Sequence, residues 1–400
     1  MRASRLRVPT RQMAAAAALA TTVLAIALAT GTVTAGASAG GDRTVPYRDV
    51  YQVTFAVLGT GYALVGKATG LAVATSTDGG RSWQAVVGGP HPPLPSSAMV
   101  ASGQERPPVV KATSGGEVAV YWGDHADVSA AGGAQWSYHV FPGSVEGVSG
   151  EGGQLWAPVD GSAPKGPAWK VGPAPGWLYV SSDDGRHWAR RSVLPRGFGP
   201  YADLVEATAE VGYALAPGEY NTYAAAFGGL ALTTNGGRSW QKVSQPCAED
   251  ASPRYGYNVS FGSAGPDELW MACGQEEGLY GGRLTQVARS SDAGHKWSVV
   301  AGTRLIVPVP DFTGRSYVPL ASEPATGAFS GGQAWLVLQG PSILVHTGNG
   351  GRTWATVGPR HLEEQGPQQV FDLGGTLLVR TTDALWRSGE SGAWQEVASA

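Results

Sequence analysis

A short pattern ending in tryptophan recurs along the chain and constrains its fold more than any other feature. It reads Ser or Thr, any residue, Asp or Asn, any residue, Gly, two variable residues and Trp, and we call it the box. Six copies occupy Ser76–Trp83, Ser129–Trp136 (with Ala131 at the Asp position), Ser181–Trp188, Thr233–Trp240, Ser290–Trp297 and Thr347–Trp354, and a degenerate seventh ends at Trp394. Successive box tryptophans are 52 to 57 residues apart, with a last interval of 40. Seven repeated structural units therefore fill residues 40–400.

Each repeat contains short apolar segments separated by glycine-marked turns. In the first repeat, three of them are Gly61–Val65, Leu71–Thr75 and Trp83–Val86. Segments of this length without intervening helical periodicity are typical of antiparallel strands. Four strands per repeat and seven repeats predict an all-β fold, a seven-bladed β-propeller with four-stranded antiparallel blades. The tight turns of such a fold explain the 59 glycines, because a positive φ is favourable only for glycine.

The residue types of the box suit a hydrogen-bonded turn. The Asp side chain can accept hydrogen bonds from backbone N–H groups of its own turn, the Gly can take a positive φ, and the Trp ring can pack over the hairpin. Two copies have Asn instead of Asp, which keeps the acceptor and removes the charge. We therefore predict structural roles, rather than catalysis or metal binding, for the box residues. They are Ser76, Asp78, Gly80, Trp83, Ser129, Gly133, Trp136, Ser181, Asp183, Gly185, Trp188, Thr233, Asn235, Gly237, Trp240, Ser290, Asp292, Gly294, Trp297, Thr347, Asn349, Gly351 and Trp354.

The box resembles the Asp-box, also called the bacterial neuraminidase repeat. That repeat occurs in sialidases, sortilin-type receptors, xyloglucanases and photosystem II assembly factor-like propellers. The resemblance covers essentially all of residues 40–400 and implies the propeller fold, but these families share the box and differ in chemistry. This chain resembles photosystem II assembly factor-like and sortilin-type propellers more than true sialidases. In blade number it is similar to the photosystem II assembly factor-like group, whereas sialidases resemble one another in having six blades.

The first 39 residues have the composition of a secretory signal peptide. Four arginines among the first eleven residues precede an apolar run from Met13 to Ala29, and small residues follow at Ala37-Ser38-Ala39. We predict a cleaved signal peptide at 1–39 and a single propeller domain at 40–400, hence a secreted protein with no membrane span in its mature form. An uncleaved anchor is the alternative, although the run is shorter than the ~20 apolar residues of a typical span.

The net charge of the chain indicates which classes of partner it can bind. The formal net charge is −3, and removal of residues 1–39 leaves 24 basic and 31 acidic residues, a net charge near −7. An acidic chain does not favour nucleic acid as a partner. We expect an extracellular protein or a glycan instead, and we expect a monomer without a cofactor.

The two cysteines, Cys247 and Cys273, are predicted to form a disulfide. An even number of cysteines in an exported chain favours pairing. Both residues lie in or beside connections that the predicted propeller topology brings to the same face. A disulfide between them is therefore compatible with the predicted fold.

The longest connections are predicted on the face opposite the boxes. In a four-stranded blade, the turn between strands three and four lies at one end. The connections from strand two to strand three, and from blade to blade, therefore lie at the other end. The longest of these connections are 88–108, 160–176, 218–228, 245–256, 273–283 and 302–324. Aromatic residues and both signs of charge interleave there, as in surfaces that recognise peptides or carbohydrates.

These connections supply the candidate binding residues of a secreted, non-catalytic binding or assembly module. In the alternative interpretation, the same residues are solvent-exposed loop residues without a binding role, and some of the aromatic rings pack under their own loops. The candidates are Trp169, Tyr220, Tyr223, Tyr255, Tyr280, Arg283, Arg315 and Tyr317.

An exo-acting glycoside hydrolase of sialidase type is the alternative function. The resemblance implies a Tyr nucleophile activated by Glu, an Asp acid/base and three Arg that hold the substrate carboxylate. The same connections supply these residue types at Tyr255, Tyr317, Glu276, Glu277, Asp311, Arg254, Arg283, Arg304 and Arg315. The Arg-Ile-Pro motif of sialidases is matched only in its Arg, at Arg48, which favours the non-catalytic interpretation.

No metal site is predicted. The seven histidines form no His-x-His or His-Glu-x-x-His pair. The densest group of possible ligands is Asp124-His125-Ala126-Asp127. We interpret this group as a polar loop, with ion binding as the alternative.

Overall fold

The chain folds into seven four-stranded antiparallel sheets, each built from four consecutive strands. This confirms the predicted seven-bladed β-propeller. The computed structural model describes residues 44–56, 59–67, 70–94, 107–113, 116–130, 132–151, 153–161, 176–195, 198, 203–216, 229–248, 257–276, 282–300, 327–338, 343–359, 362, 364–389 and 392–399.

The first four blades contain strands β1 to β16. Blade 1 consists of β1 (Val50–Phe55), β2 (Gly61–Lys67), β3 (Gly70–Ser76) and β4 (Gln84–Ala85). Blade 2 consists of β5 (Val109–Ala112), β6 (Val118–Trp122), β7 (His125–Ser129) and β8 (Ser137–Val140). Blade 3 consists of β9 (Ser149–Glu151), β10 (Gln154–Val159), β11 (Trp177–Ser181) and β12 (Ala189–Val193). Blade 4 consists of β13 (Asp203–Glu206), β14 (Gly212–Ala216), β15 (Gly229–Thr233) and β16 (Gln241–Val243).

Strands β17 to β28 form the other three blades. Blade 5 consists of β17 (Tyr257–Ser263), β18 (Leu269–Glu276), β19 (Gly282–Ser290) and β20 (Ser298–Val299). Blade 6 consists of β21 (Gly327–Ser330), β22 (Gln333–Leu338), β23 (Ile343–Thr347) and β24 (Ala355–Thr356). Blade 7 consists of β25 (Pro367–Asp372), β26 (Leu377–Thr381), β27 (Ala384–Ser388) and β28 (Trp394–Ser399). Short 3₁₀ helices lie at Tyr47–Asp49 and Pro246–Ala248.

The core consists of apolar layers between successive blades. Strands at the centre of each sheet are nearly continuous runs of small and branched apolar residues, because both faces of a blade pack on a neighbour. Ala63 and Leu64 of β2, for example, are both fully buried and belong to different layers. The first strands of neighbouring blades also contact each other, as expected for the strands nearest the central axis.

Blade 7 packs on blade 1 and closes the ring. Phe55 lies edge-to-face on Phe371, with ring centroids 5.3 Å apart, and Leu385 joins the same layer. The segment that enters the first blade pairs with its outer strand, at Thr44 and Gln84, and Val45 packs in the layer shared with blade 7. Arg380 of blade 7 also donates from Nη2 to the Tyr51 carbonyl of blade 1 at 2.9 Å. Each sheet is made of consecutive strands, so no blade combines strands from the two ends of the chain. Closure of the ring therefore relies on side-chain packing and on the segment that enters the first blade.

The box forms a tight turn between the third and fourth strand of a blade. The Ser76 hydroxyl accepts a hydrogen bond from the Gly80 N–H at 2.8 Å, and Asp78 Oδ1 accepts one from the Ser82 N–H at 3.0 Å. Asn349 Oδ1 accepts the corresponding bond from the Thr353 N–H at 3.0 Å. The turn thus has the same hydrogen bond with a neutral amide as with a carboxylate.

All described residues belong to one compact unit, Arg43–Ala400. Within the described part of the chain, no helix is long and apolar enough to cross a membrane. The predicted signal peptide at 1–39 lies outside the described residues.

Candidate functional site

The blades define two faces of the molecule. The box turns join the third strand to the fourth at one end of each blade, which we call the box face. Because consecutive strands are antiparallel, the connections from second to third strand and from blade to blade reach the other end, which we call the loop face.

Most of the predicted site residues lie outside the described residues. Glu276 and Arg283 are placed by their backbone alone. The remainder lie in undescribed connections, and their predicted roles stay predictions. These residues are Trp169, Tyr220, Tyr223, Arg254, Tyr255, Glu277, Tyr280, Arg304, Asp311, Arg315 and Tyr317.

The hairpin of blade 5 is longer than predicted. The sequence pattern predicts a connection from Cys273 to Arg283, whereas β18 continues to Glu276 and β19 begins at Gly282. A bulge between Cys273 and Gly274 shifts the register, after which Gln275 pairs with Arg283 and Glu276 with Gly282. Backbone pairing thus continues to Glu276 and Gly282 and places Glu276 and Arg283 on adjacent strands.

A disulfide secures the base of this hairpin, which confirms the predicted pairing. The Cys247 and Cys273 sulfurs are 2.00 Å apart and the two Cα atoms 5.6 Å apart. Cys273 is buried in the layer between blades 4 and 5, and Gln286 of β19 donates from Nε2 to the Pro246 carbonyl at 2.7 Å. The connection from blade 4 to blade 5 is therefore attached to both long strands of blade 5.

A cluster of aromatic rings lies at the loop-face end of blade 2. The imidazole of His125 stacks on Tyr138, with ring centroids 5.5 Å apart, and lies 5.3 Å from the ring of Trp122. The Tyr138 hydroxyl hydrogen-bonds to His125 Nδ1 at 2.8 Å, and Asp124 Oδ1 lies 3.3 Å from His125 Nε2. Tyr138 is 59% exposed although its ring is held by His125. We call these four residues the blade 2 cluster.

Asp127 lies beside the blade 2 cluster and is buried, and its Oδ1 atom has no hydrogen-bond partner among the described residues. Strand pairing places it opposite Tyr138 and on the same face of the sheet as His125. Asp127 is only 6% exposed. Burial disfavours the charged form and raises the pKa of Asp127 to about 6.

Asp127→Asn should stabilise the protein at neutral pH and not in acid. The folded pKa of about 6 lies above the ordinary value of 3.8, so the protonated form is favoured by folding and stability falls as pH rises from about 4 through 6. We expect the variant to gain about 1–2 kcal/mol in free energy of unfolding at pH 7.5, allowing for partial solvent screening, and almost nothing at pH 4. Urea unfolding at both pH values measures this difference. Equal gains at the two pH values would show that ionisation of Asp127 is not the cause.

The residues between Asp124 and Asp127 do not assemble a metal site. Tyr138 already occupies His125 Nδ1, and the pairing of β7 places Asp127 within the sheet. In the part of the chain that the structure describes, no three His, Cys, Asp or Glu side chains converge as metal ligands would.

The sequence has no match among protein-family models or curated proteins, but solved structures share its fold. A structure of YCF48 bound to D1 peptide is 16% identical, with 83% of this chain and 89% of that chain covered and a TM-score of 0.48. YCF48 from Cyanidioschyzon merolae is 12% identical, with 86% and 94% covered and a TM-score of 0.49. An ancestral GH74 enzyme is 14% identical, with 90% of this chain but only 48% of that chain covered and a TM-score of 0.50. At 14% identity, the similarity to the ancestral GH74 enzyme concerns the fold alone.

Proposed function

We propose that residues 40–400 form a secreted, non-catalytic binding or assembly module of the Asp-box type, which recognises an extracellular protein or glycan through its loop face. The disulfide between Cys247 and Cys273 is compatible with an oxidising compartment. The recurring Ser/Thr and Asp/Asn hydrogen bonds of the box support the Asp-box assignment.

The observation that carries this proposal is the blade 2 cluster. Tyr138 is largely exposed, yet it is oriented by a hydrogen bond and by stacking, so little side-chain entropy is lost when a ligand covers it. Aromatic faces beside the Asp124 carboxylate can hold a basic side chain or the apolar face of a sugar ring. These are properties of a recognition surface, and they require no reacting group.

The proposal is tested by immobilising residues 40–400 and probing the protein with arrays of glycans and of proteins exported by the producing cell. Tyr138→Ala should weaken binding of any retained ligand about tenfold or more, because it removes an oriented aromatic contact. Val299→Ala is the matched control, since Val299 is also 59% exposed but lies on the outer strand of blade 5. Equal effects of the two substitutions would argue against recognition at the blade 2 cluster.

The glycoside hydrolase alternative predicts a different result. A sialidase-type enzyme would release the fluorophore from a fluorogenic sialoside, and Tyr255→Phe or Tyr317→Phe would abolish the release. That outcome would overturn the non-catalytic proposal. Ligand retention without turnover would support it.

A further inference from the structure

The interface between blade 7 and blade 1, which we call the closing interface, differs from the other six. Each of those six separates blades that follow one another in the chain, so a chain connection also joins the two blades. Blades 7 and 1 come last and first, and side chains pack between them. Phe55 and Trp83 of blade 1 lie in one apolar layer with Phe371 and Leu385 of blade 7.

Residues 44–49 lie at the outer edge of the closing interface, and we call this segment the strap. Thr44 pairs with Gln84 of the outer strand β4, and the Val45 N–H donates to the Trp83 carbonyl at 2.9 Å. The 3₁₀ turn that ends the strap contacts β2 of blade 1 and β28 of blade 7. One short segment therefore contacts both blades.

The side chains of the strap alternate between the closing interface and solvent. Val45 and Tyr47 are partly buried and belong to the apolar layer that also contains residues of β28. Thr44, Pro46 and Arg48 are exposed. This alternation is that of an edge segment with one face on the core. The strap thus adds apolar cover to the closing interface.

The exposure of the box tryptophans shows what the strap covers. Every box tryptophan packs at the interface between its own blade and the preceding one. Trp83 is only 1% exposed, and its Nε1 atom is also buried. The other six are partly exposed, and they are Trp136, Trp188, Trp240, Trp297, Trp354 and Trp394.

The box turn itself does not account for the burial of Trp83. In blades 1, 3 and 4, the box Gly N–H donates to the opening Ser or Thr hydroxyl at 2.8–3.0 Å, so these turns have the same hydrogen bond. The strap, in contrast, is specific to blade 1, since it precedes the first strand. We therefore attribute the additional burial of Trp83 to the strap.

The strap is held less firmly than the strands that it covers. Its backbone pairing consists of the bridge between Thr44 and Gln84, whereas β2 pairs with β3 at seven positions. Pro46 has no N–H to donate, and the inward-facing Val45 and Tyr47 are only partly buried. Segments with few buried contacts and few backbone hydrogen bonds open at a lower free energy than paired strands do.

We propose that residues 44–49 are a detachable strap that controls closure of the ring. When the strap leaves, Trp83 and the apolar layer around it gain contact with water, which weakens the closing interface. The other six interfaces keep both their packing and their chain connections. The ring then opens between blades 7 and 1 while the remaining blades stay folded.

Hydrogen exchange in residues 40–400 tests this proposal. Tyr47→Ala removes the inward-facing ring of the strap, and Arg48→Ala is the matched control, because the Arg48 side chain is 74% exposed. We expect the Trp83 indole N–H, assigned by Trp83→Phe, to exchange about tenfold faster or more in Tyr47→Ala, owing to lost burial. Backbone amides of β1, β27 and β28 should also exchange faster, and those of β14 and β15 in blade 4 should not. Arg48→Ala should match the wild-type protein.

A cross-linked variant tests the strap without destabilising the protein. Opposed residues of antiparallel strands have Cα atoms ~4.5–5.5 Å apart, a separation that a disulfide can bridge. Thr44→Cys/Gln84→Cys should therefore fix the strap on β4. We expect the Trp83 indole N–H to exchange about tenfold more slowly in the oxidised double variant than in wild type, because opening is blocked. Adding Tyr47→Ala to the oxidised variant should leave the exchange slow.

Three outcomes would overturn the proposal. The first is unchanged exchange of the Trp83 indole N–H in Tyr47→Ala. The second is equal acceleration in blades 1, 4 and 7, which would mean that the propeller unfolds as a whole. The third is wild-type exchange in the oxidised double variant, which would mean that departure of the strap does not limit opening of the closing interface.

Discussion

Reduction of the Cys247–Cys273 disulfide is expected to lower the free energy of unfolding by about 3.5 kcal/mol. The bond joins residues 26 positions apart, and cross-linking a loop of that length restricts the unfolded chain by about this amount. Urea unfolding with and without a phosphine reductant measures the loss, and the midpoint of thermal unfolding should fall by about 4–5 °C.

A cysteine-free variant provides the control for reduction. Cys247→Ala/Cys273→Ala should be destabilised by a similar amount and should no longer respond to the reductant. Continued sensitivity to the reductant would show that it acts elsewhere. Unchanged stability of the wild-type protein after complete reduction would contradict the expected role of the bond.

Gly80→Ala is expected to destabilise the protein by about 3 kcal/mol. Gly80 has a φ of +90°, which costs a residue with a Cβ about 1–2 kcal/mol. The added methyl would also stand 2.2 Å from Leu385 Cδ2 and 3.3 Å from Phe55 Cζ, at the interface that closes the ring. Overpacking of this kind costs a further ~1–3 kcal/mol. Urea unfolding measures the sum.

Gly116→Ala is the matched control for this substitution. Gly116 has nearly the same φ, +93°, but a Cβ there would have no neighbour within 4 Å. Its substitution should cost only the conformational part, about 1 kcal/mol, partly offset by reduced freedom of the unfolded chain. Equal losses for the two variants would show that contact with Leu385 and Phe55 contributes nothing.

The number of blades and their strand order were predictable because they depend on residues that lie close together in the chain. Each box combines a turn-forming Gly with a Trp and follows a short apolar strand, and seven repeats of that unit leave few alternatives to a propeller. Pairing of Cys247 with Cys273 was predictable for a similar reason, since two cysteines allow only one intramolecular bond.

The blade 2 cluster was not predicted from the sequence. Asp124-His125-Ala126-Asp127 was visible as a dense polar group, but Trp122 and Tyr138 belong to neighbouring strands, and only the strand register brings them beside His125. Asp127 alternates with the apolar residues Ala126 and Val128 in β7, a pattern that predicts a solvent-facing side chain, and its burial can be recognised only from the packed surroundings.

The sequence by itself determined the all-β fold, the seven blades, the box turns and the disulfide, because these depend on residues near one another in the chain or on a unique pairing. Only the tertiary structure decided that the blade 5 connection continues as paired strands and that His125 orients Tyr138. These features depend on register and on packing between strands or whole blades, and such contacts are not encoded in any local pattern.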